Sequence, residues 1–141
     1  PEKPGLHEFL SWLKEHSIKV AVATSTTRRI AEDYWKQSGI DQYIDASVCG
    51  DEVINSKPDP EIFLKAASLL KVPIAACIVA EDSINGLKAA RAAGAISCMI
   101  PDLTPYTKEL FPFCDYVSPS LLACKEILLQ TPEADKLKSW K

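Results

Sequence analysis

The sequence predicts an α/β fold built on a mainly parallel sheet with helices on both faces. Three observations carry that expectation. Short apolar runs at Ile18–Ala23, Ile44–Cys49, Cys77–Ala80 and Ser97–Ile100 alternate with segments of helical period. Each run is nearly continuous in its apolar character, as in strands buried on both faces. Ser, Thr, Pro or Gly stands at most boundaries, where helices start and stop.

Taken in order, Pro4-Gly5 punctuates the start, and Leu6, Phe9, Leu10 and Leu13 mark one face of a helix reaching about His16. His7 and His16 are expected on its solvent side. The strand Ile18–Ala23 runs into Thr24-Ser25-Thr26-Thr27, ahead of a helix over Arg28–Ser38 that Gly39 closes. That hydroxyl cluster serves either as a helix cap or as a seat for an oxyanion, where hydroxyls and free amides face a negative charge. After the strand Ile44–Cys49, Gly50-Asp51-Glu52 turns the chain outward, and Ser56-Lys57-Pro58-Asp59-Pro60 follows. Asp59 suits an N-cap and Pro60 the first helical position. Pro58 disfavours helical geometry at Lys57, which holds the lysine just before a helix start and suits it to an anion.

The next helix places Ile62, Phe63, Ala66, Ala67, Leu69 and Leu70 at core spacing and ends by Pro73. The run Cys77–Ala80 meets two acids, Glu81 and Asp82. Ser83 caps the helix that opens there, and Gly94 stops it. Ser97–Ile100 reads as a strand, residues 105–113 as a loop with a helical turn, Asp115–Val117 as an edge strand and Leu121–Gln130 as a closing helix. Residues 131–141 read as a polar, frayed tail.

The 141 residues suit one domain, here 1–130, and 47% hydrophobic with 25% charged is an ordinary globular balance. A net charge of −3 argues against binding nucleic acid by phosphate neutralisation. No apolar run approaches the roughly 20 residues that span a bilayer, and no secretory leader is visible. The five cysteines are odd in number and lack metal-ligand spacing, which favours a reduced, cytoplasmic setting. No G-x-G-x-x-G follows the first strand, against a dinucleotide-binding fold. An acidic pair near the start, which a receiver domain would need, is missing as well.

Right-handed crossovers bring all strand C-termini to one rim. Thr24, Lys57 and the pair Glu81-Asp82 gather there, and ligands of open α/β sheets bind at that edge. Hydroxyls, a fixed lysine and paired carboxylates together make a phosphate-plus-Mg²⁺ site.

The strings VAVATST, SKPDPEIF and IVAEDSINGLKAARAAG, in this order, resemble the haloacid dehalogenase superfamily, in its β-phosphoglucomutase-like phosphatase branch. The resemblance runs from about Pro4 to Val117. It implies a three-layer αβα, Rossmann-like core in which Thr24, with the amide of Ser25, holds the transferring phosphoryl group. It further implies that Lys57 neutralises charge on that group and that Glu81 and Asp82 bind Mg²⁺. The family's nucleophile is the first aspartate of a D-x-D motif on its first strand, and no D-x-D spelling occurs here. The resemblance places that strand and the helical cap domain upstream of this chain, with the strand at the centre of the sheet, between those ending at Thr24 and Ala80. The parent protein is then expected to be a phosphatase or phosphomutase acting on a small phosphorylated metabolite, such as a sugar phosphate, through an aspartyl-phosphate. This chain by itself would be inactive, with the missing N-terminal segment as a possible partner. The rival expectation is a non-catalytic, phosphate-binding or regulatory module that lacks the nucleophile by nature.

Overall fold

Helix α1 (Leu6–Glu15) buries Phe9, Leu10 and Leu13 and leaves His16 exposed. It leads into β1 (Lys19–Ala23) and then α2 (Arg28–Ser38), which ends at Gly39 as its sequence indicates. β2 (Ala46–Val48) and α3 (Glu61–Leu70) form the next strand–helix unit, followed by β3 (Cys77–Glu81) and α4 (Ile84–Ala93). The chain continues through β4 (Ile96–Met99), β5 (Tyr116–Val117), α5 (Cys124–Gln130) and β6 (Ser139–Trp140). This computed structural model describes residues 5–100, 108–130 and 139–140; the sequence reading of 101–107 and 131–138 lies outside them.

The strands form one sheet in the order β2-β1-β6-β3-β4-β5, with every pairing parallel. A parallel sheet needs both faces covered, and the helices supply the cover. On one face Phe9, Leu13 and Trp35 pack with Leu121 and Leu128 against Val20, Ile78 and Cys98. On the other, Ile62, Phe63 and Ala66 of α3 and Ala89 and Ala90 of α4 meet Ala21, Val48 and Val79. Small residues on α4 let that helix lie close to the sheet.

Strands β1 to β5 start and stop within two residues of their expected bounds, and most core positions lie where periodicity put them. Leu69 does not: it is 54% exposed. Its neighbours Ala66, Ala67 and Leu70 already fill the buried stripe of α3, so a further apolar residue at that angle faces water. At the C-terminus, the expected polar tail includes a sheet strand. Ser139 and Trp140 pair with Lys19 and Val20 on one side and with Cys77 and Ile78 on the other. Polarity concealed this, because a strand's place in a sheet depends on which edges lie open to it, which local composition does not encode. Among the described residues no helix is long and apolar enough to cross a membrane.

Arg28 locks the start of α2 to the turn after β2. Its guanidinium donates to both oxygens of Glu52 (2.8 Å each) and to the hydroxyl and carbonyl of Ser47 (3.1 Å each), while its amide donates to Asp51 Oδ1 (3.0 Å). The forked bond from Arg28, helped by the Cys49 amide, brings the Glu52 carboxyl down to about 2 from its ordinary 4.5. A carboxyl more acidic in the folded chain than in the unfolded one stabilises the fold above the unfolded value and loses that contribution as the pH falls. Glu52→Gln is therefore expected to lower the urea midpoint at neutral pH, and its deficit should shrink as the pH is taken from 4.5 toward 2. Urea titrations of both proteins across that window check this; a constant deficit would exclude the carboxylate as its source.

Candidate functional site

β1 and β3 are not neighbours, because β6 lies between their first residues. β6 pairs with only two positions on each, while β1 continues to Ala23 and β3 to Glu81. With one strand position between them, the two backbones stand about 9.5 Å apart. Lys57 spans this gap at the rim. Its Nζ donates to Glu81 Oε2 at 2.6 Å and to the Ala23 carbonyl at 3.3 Å, the residue just before Thr24. The ammonium also stands 5.0 Å from the ring centroid of buried Phe63. Only 11% of the Lys57 side chain and 9% of that of Glu81 is exposed, so this ion pair is held largely out of water.

The loop that delivers Lys57 is fixed from the helix behind it. The Glu61 carboxylate accepts the amides of Ile54 (2.8 Å) and Asn55 (2.9 Å), and these bonds hold its carboxyl below the usual carboxylate range. Asp59 accepts the amide of Glu61 (2.9 Å), the cap-like bond its sequence position suggests, although helical geometry begins one residue later than expected, at Glu61. Glu61 went unremarked in the sequence because nothing local distinguishes it from any acid in a first helical turn.

Thr24 and Ser25 follow β1 directly. Thr24 is half-buried, and its Oγ1 accepts the amide of Thr26 at 3.1 Å; Ser25 is exposed. The hydroxyl cluster makes no side-chain cap on α2, so it orders its own loop and leaves the helix start to Arg28 and Asp51. This loop lies against the turn after β2: the Gly50 amide donates to Thr26 O (2.9 Å), and a Cβ on Gly50 would stand 2.1 Å from the Ser25 carbonyl. Only glycine admits that approach.

The acid pair ends β3. Ser83 caps α4 by accepting the Gly86 amide (3.1 Å), and its hydroxyl lies 3.4 Å from Glu81 Oε1. Gly86 seats Glu81, since a Cβ there would stand 2.2 Å from the Glu81 carboxyl carbon. The Asn85-Gly86 spelling inside a helix was the available clue: an interior glycine costs helix stability and implies a close neighbour. Asp82 is half-buried beside Glu81. Lys57 and Glu81 thus meet each other and the β1 end, with Thr24 next in the chain and Asp82 adjacent. Among the described residues no group of three or more His, Cys, Asp or Glu is placed to hold a metal ion.

The open parallel sheet carries an ammonium, hydroxyls and two carboxylates on its C-terminal rim, the edge at which such sheets bind ligands. The chain belongs to the haloacid dehalogenase-like hydrolase family, whose model matches residues 1–94. It is 43% identical over 93 residues to a phosphorylated carbohydrates phosphatase of Thermotoga maritima, covering 66% of this chain and 43% of that protein. It is 36% identical over 126 residues to protein CbbY of Rhodobacter capsulatus, covering 85% of this chain and 54% of that one. Among solved structures, a Thermotoga maritima protein provisionally described as a β-phosphoglucomutase superposes with a TM-score of 0.83 at 32% identity, over 92% of this chain and 61% of that one. CbbY of Rhodobacter sphaeroides, solved with xylulose-(1,5)bisphosphate, superposes with a TM-score of 0.76 at 31% identity, over 84% and 54%. The chain spans about half the length, or less, of the curated relatives it matches.

Removing one member of a buried ion pair is expected to cost about 3–5 kcal/mol, because the other charge keeps its burial and loses its partner. Lys57→Met should show that loss in urea denaturation. The double variant Lys57→Met/Glu81→Gln should recover most of it, and additive losses would contradict the pairing.

Proposed function

We propose that the protein to which this chain belongs is a Mg²⁺-dependent phosphatase or phosphomutase acting on a small phosphorylated metabolite, a phosphorylated sugar above all. The observation that carries this reading is the largely buried ammonium of Lys57, held between the end of β1 and Glu81. A positive charge fixed in a low-dielectric setting beside a hydroxyl-bearing loop is preorganised for phosphoryl oxygens. Thr24, with the Ser25 amide, positions the phosphoryl group, and Lys57 shifts part of its interaction from Glu81 to the incoming anion. One relative is a phosphorylated carbohydrates phosphatase and another was solved with a xylulose bisphosphate, and both support the substrate class.

Two adjacent hard-oxygen donors, Glu81 and Asp82, fit Mg²⁺, which takes one or two carboxylates and completes its shell with water and phosphate. When bound, the ion offsets charge on the phosphoryl oxygens. The donors present are too few for a closed protein cage, which agrees with an ion shared with substrate. The nucleophile in this proposal is an aspartate of a segment outside this chain, on a strand that takes the position β6 holds between β1 and β3, and residues 1–130 belong to the core domain.

One observation favours a second reading. β6 occupies the position between β1 and β3, so this chain supplies its own central strand. A strand there with no aspartate aimed at Lys57 would leave a phosphate-binding or regulatory module without phosphoryl transfer.

Assay of the full-length protein against a panel of sugar phosphates separates the two. Mg²⁺-dependent release of phosphate, or of an isomeric sugar phosphate, supports the enzyme, and chelation should abolish it. In that protein Lys57→Met is expected to lower turnover by about a hundredfold or more. Near-normal turnover in a folded variant would remove Lys57 from the chemistry.

A further inference from the structure

Cys98 and Cys124 lie on the opposite side of β3 from the rim loop that carries Lys57, and the proposed chemistry uses neither. Both are buried, at 0% and 1% exposure, with their sulfurs 4.0 Å apart across 26 positions of sequence. We propose that they are a redox-active dithiol that a small peroxide closes to a disulfide, tethering α5 to β4.

The geometry supplies one fixed and one adjustable sulfur. Cys98 sits inside β4, in register with Ala80 of β3 on one side and Tyr116 of β5 on the other, so its backbone is held by two ladders. Cys124 opens α5, a helix of seven residues that follows the turn at 118–123. Its sulfur is 3.6 Å from the Ser120 carbonyl, within the same turn. A disulfide bond is about 2.05 Å long, so the sulfurs must approach by about 2 Å. The short helix and its leading turn can supply that shift without breaking a strand ladder. Either sulfur can donate in the contact between them, and both are held out of water by the core. In the proposed step Cys124, on the adjustable helix, reacts first, as its thiolate.

The step balances with hydrogen peroxide as the oxidant. Cys124 sulfur attacks one peroxide oxygen; the S–O bond forms, the O–O bond breaks, and the leaving hydroxide takes up the thiol proton as water. Cys98 sulfur then attacks the Cys124 sulfenic acid; the S–S bond forms, the S–O bond breaks, and a second water leaves with the Cys98 proton. The two thiols lose two electrons and two hydrogens in all, and the peroxide becomes two waters. A dithiol reductant reverses the bond by exchange.

The register gives the bond a route to the site. Ala80, in register with Cys98, immediately precedes Glu81, and Glu81 in turn is in register with Met99. Closing the tether restrains β4 beside the strand end that carries the acid pair.

The test is peptide mapping of the folded full-length wild-type protein after peroxide treatment in thiol-free buffer. The expected result is a mass loss of two hydrogens, a single cross-linked species joining the Cys98 and Cys124 peptides, and return to the starting mass with a dithiol. The oxidised form should unfold at higher urea than the reduced form, because the tether constrains the unfolded chain. Cross-links through Cys49, Cys77 or Cys114, gain of oxygen without a cross-link, or no reaction would each overturn the proposal. Because the mapping uses the wild-type protein, it does not depend on whether a cysteine variant folds, and it reads out whether or not phosphoryl transfer is ever observed.

Discussion

The separation of β1 from β3 governs this structure. Parallel strands that are one position apart share no hydrogen bonds, so across that gap the sheet is joined by what is placed in it and by the helices packed on both faces. At the lower end β6 bridges Lys19 and Val20 to Cys77 and Ile78. At the upper end a single ammonium, Lys57 Nζ, reaches both the Ala23 carbonyl and the Glu81 carboxylate. The group proposed to bind phosphate is therefore also a tie between the two halves of the sheet.

That double duty shapes the energetics. A buried ion pair is weak evidence for stability, since desolvation offsets much of its attraction. It is better regarded as a store of oriented charge. The ammonium is already largely desolvated, aimed and partly neutralised, so in the proposed function an arriving dianion would compete with Glu81 for it. The same logic suits the divalent ion of the proposed function, which at Glu81 and Asp82 would relieve Glu81 of its dependence on Lys57. Phosphate and metal would then reinforce each other through one lysine–glutamate contact.

Two glycines set the distances on which this depends. Gly50 brings the turn after β2 against the Ser25 carbonyl, and Gly86 lets the Glu81 carboxylate rest on the first turn of α4. Neither is needed for its backbone angle; both are needed because a methyl group would occupy the space of a neighbour. Arg28 completes the frame by clamping the turn at 50–52 to the start of α2. The rim loops are thus positioned by contacts outside the site itself.

The local order of this chain was legible in its sequence. Continuous apolar runs, helix-period stripes and the Ser83 and Gly94 punctuation act over a few residues, so α2, α4 and the strands lie close to where they were read. The rim placement of Thr24, Lys57, Glu81 and Asp82 followed from the handedness of parallel crossovers, a rule that needs only element order. Tertiary structure decided what depends on distant partners. Leu69 faces water because its helix had already filled its buried stripe, Lys57 found Glu81 across 24 residues, and Cys98 found Cys124 across 26. Ser139 and Trp140 joined the sheet because two strands left an open position between them, a fact written in neither their composition nor their period. Sequence patterns report what a residue prefers near its own neighbours; which strand fills a gap or which charge meets another is settled only when the chain has closed on itself.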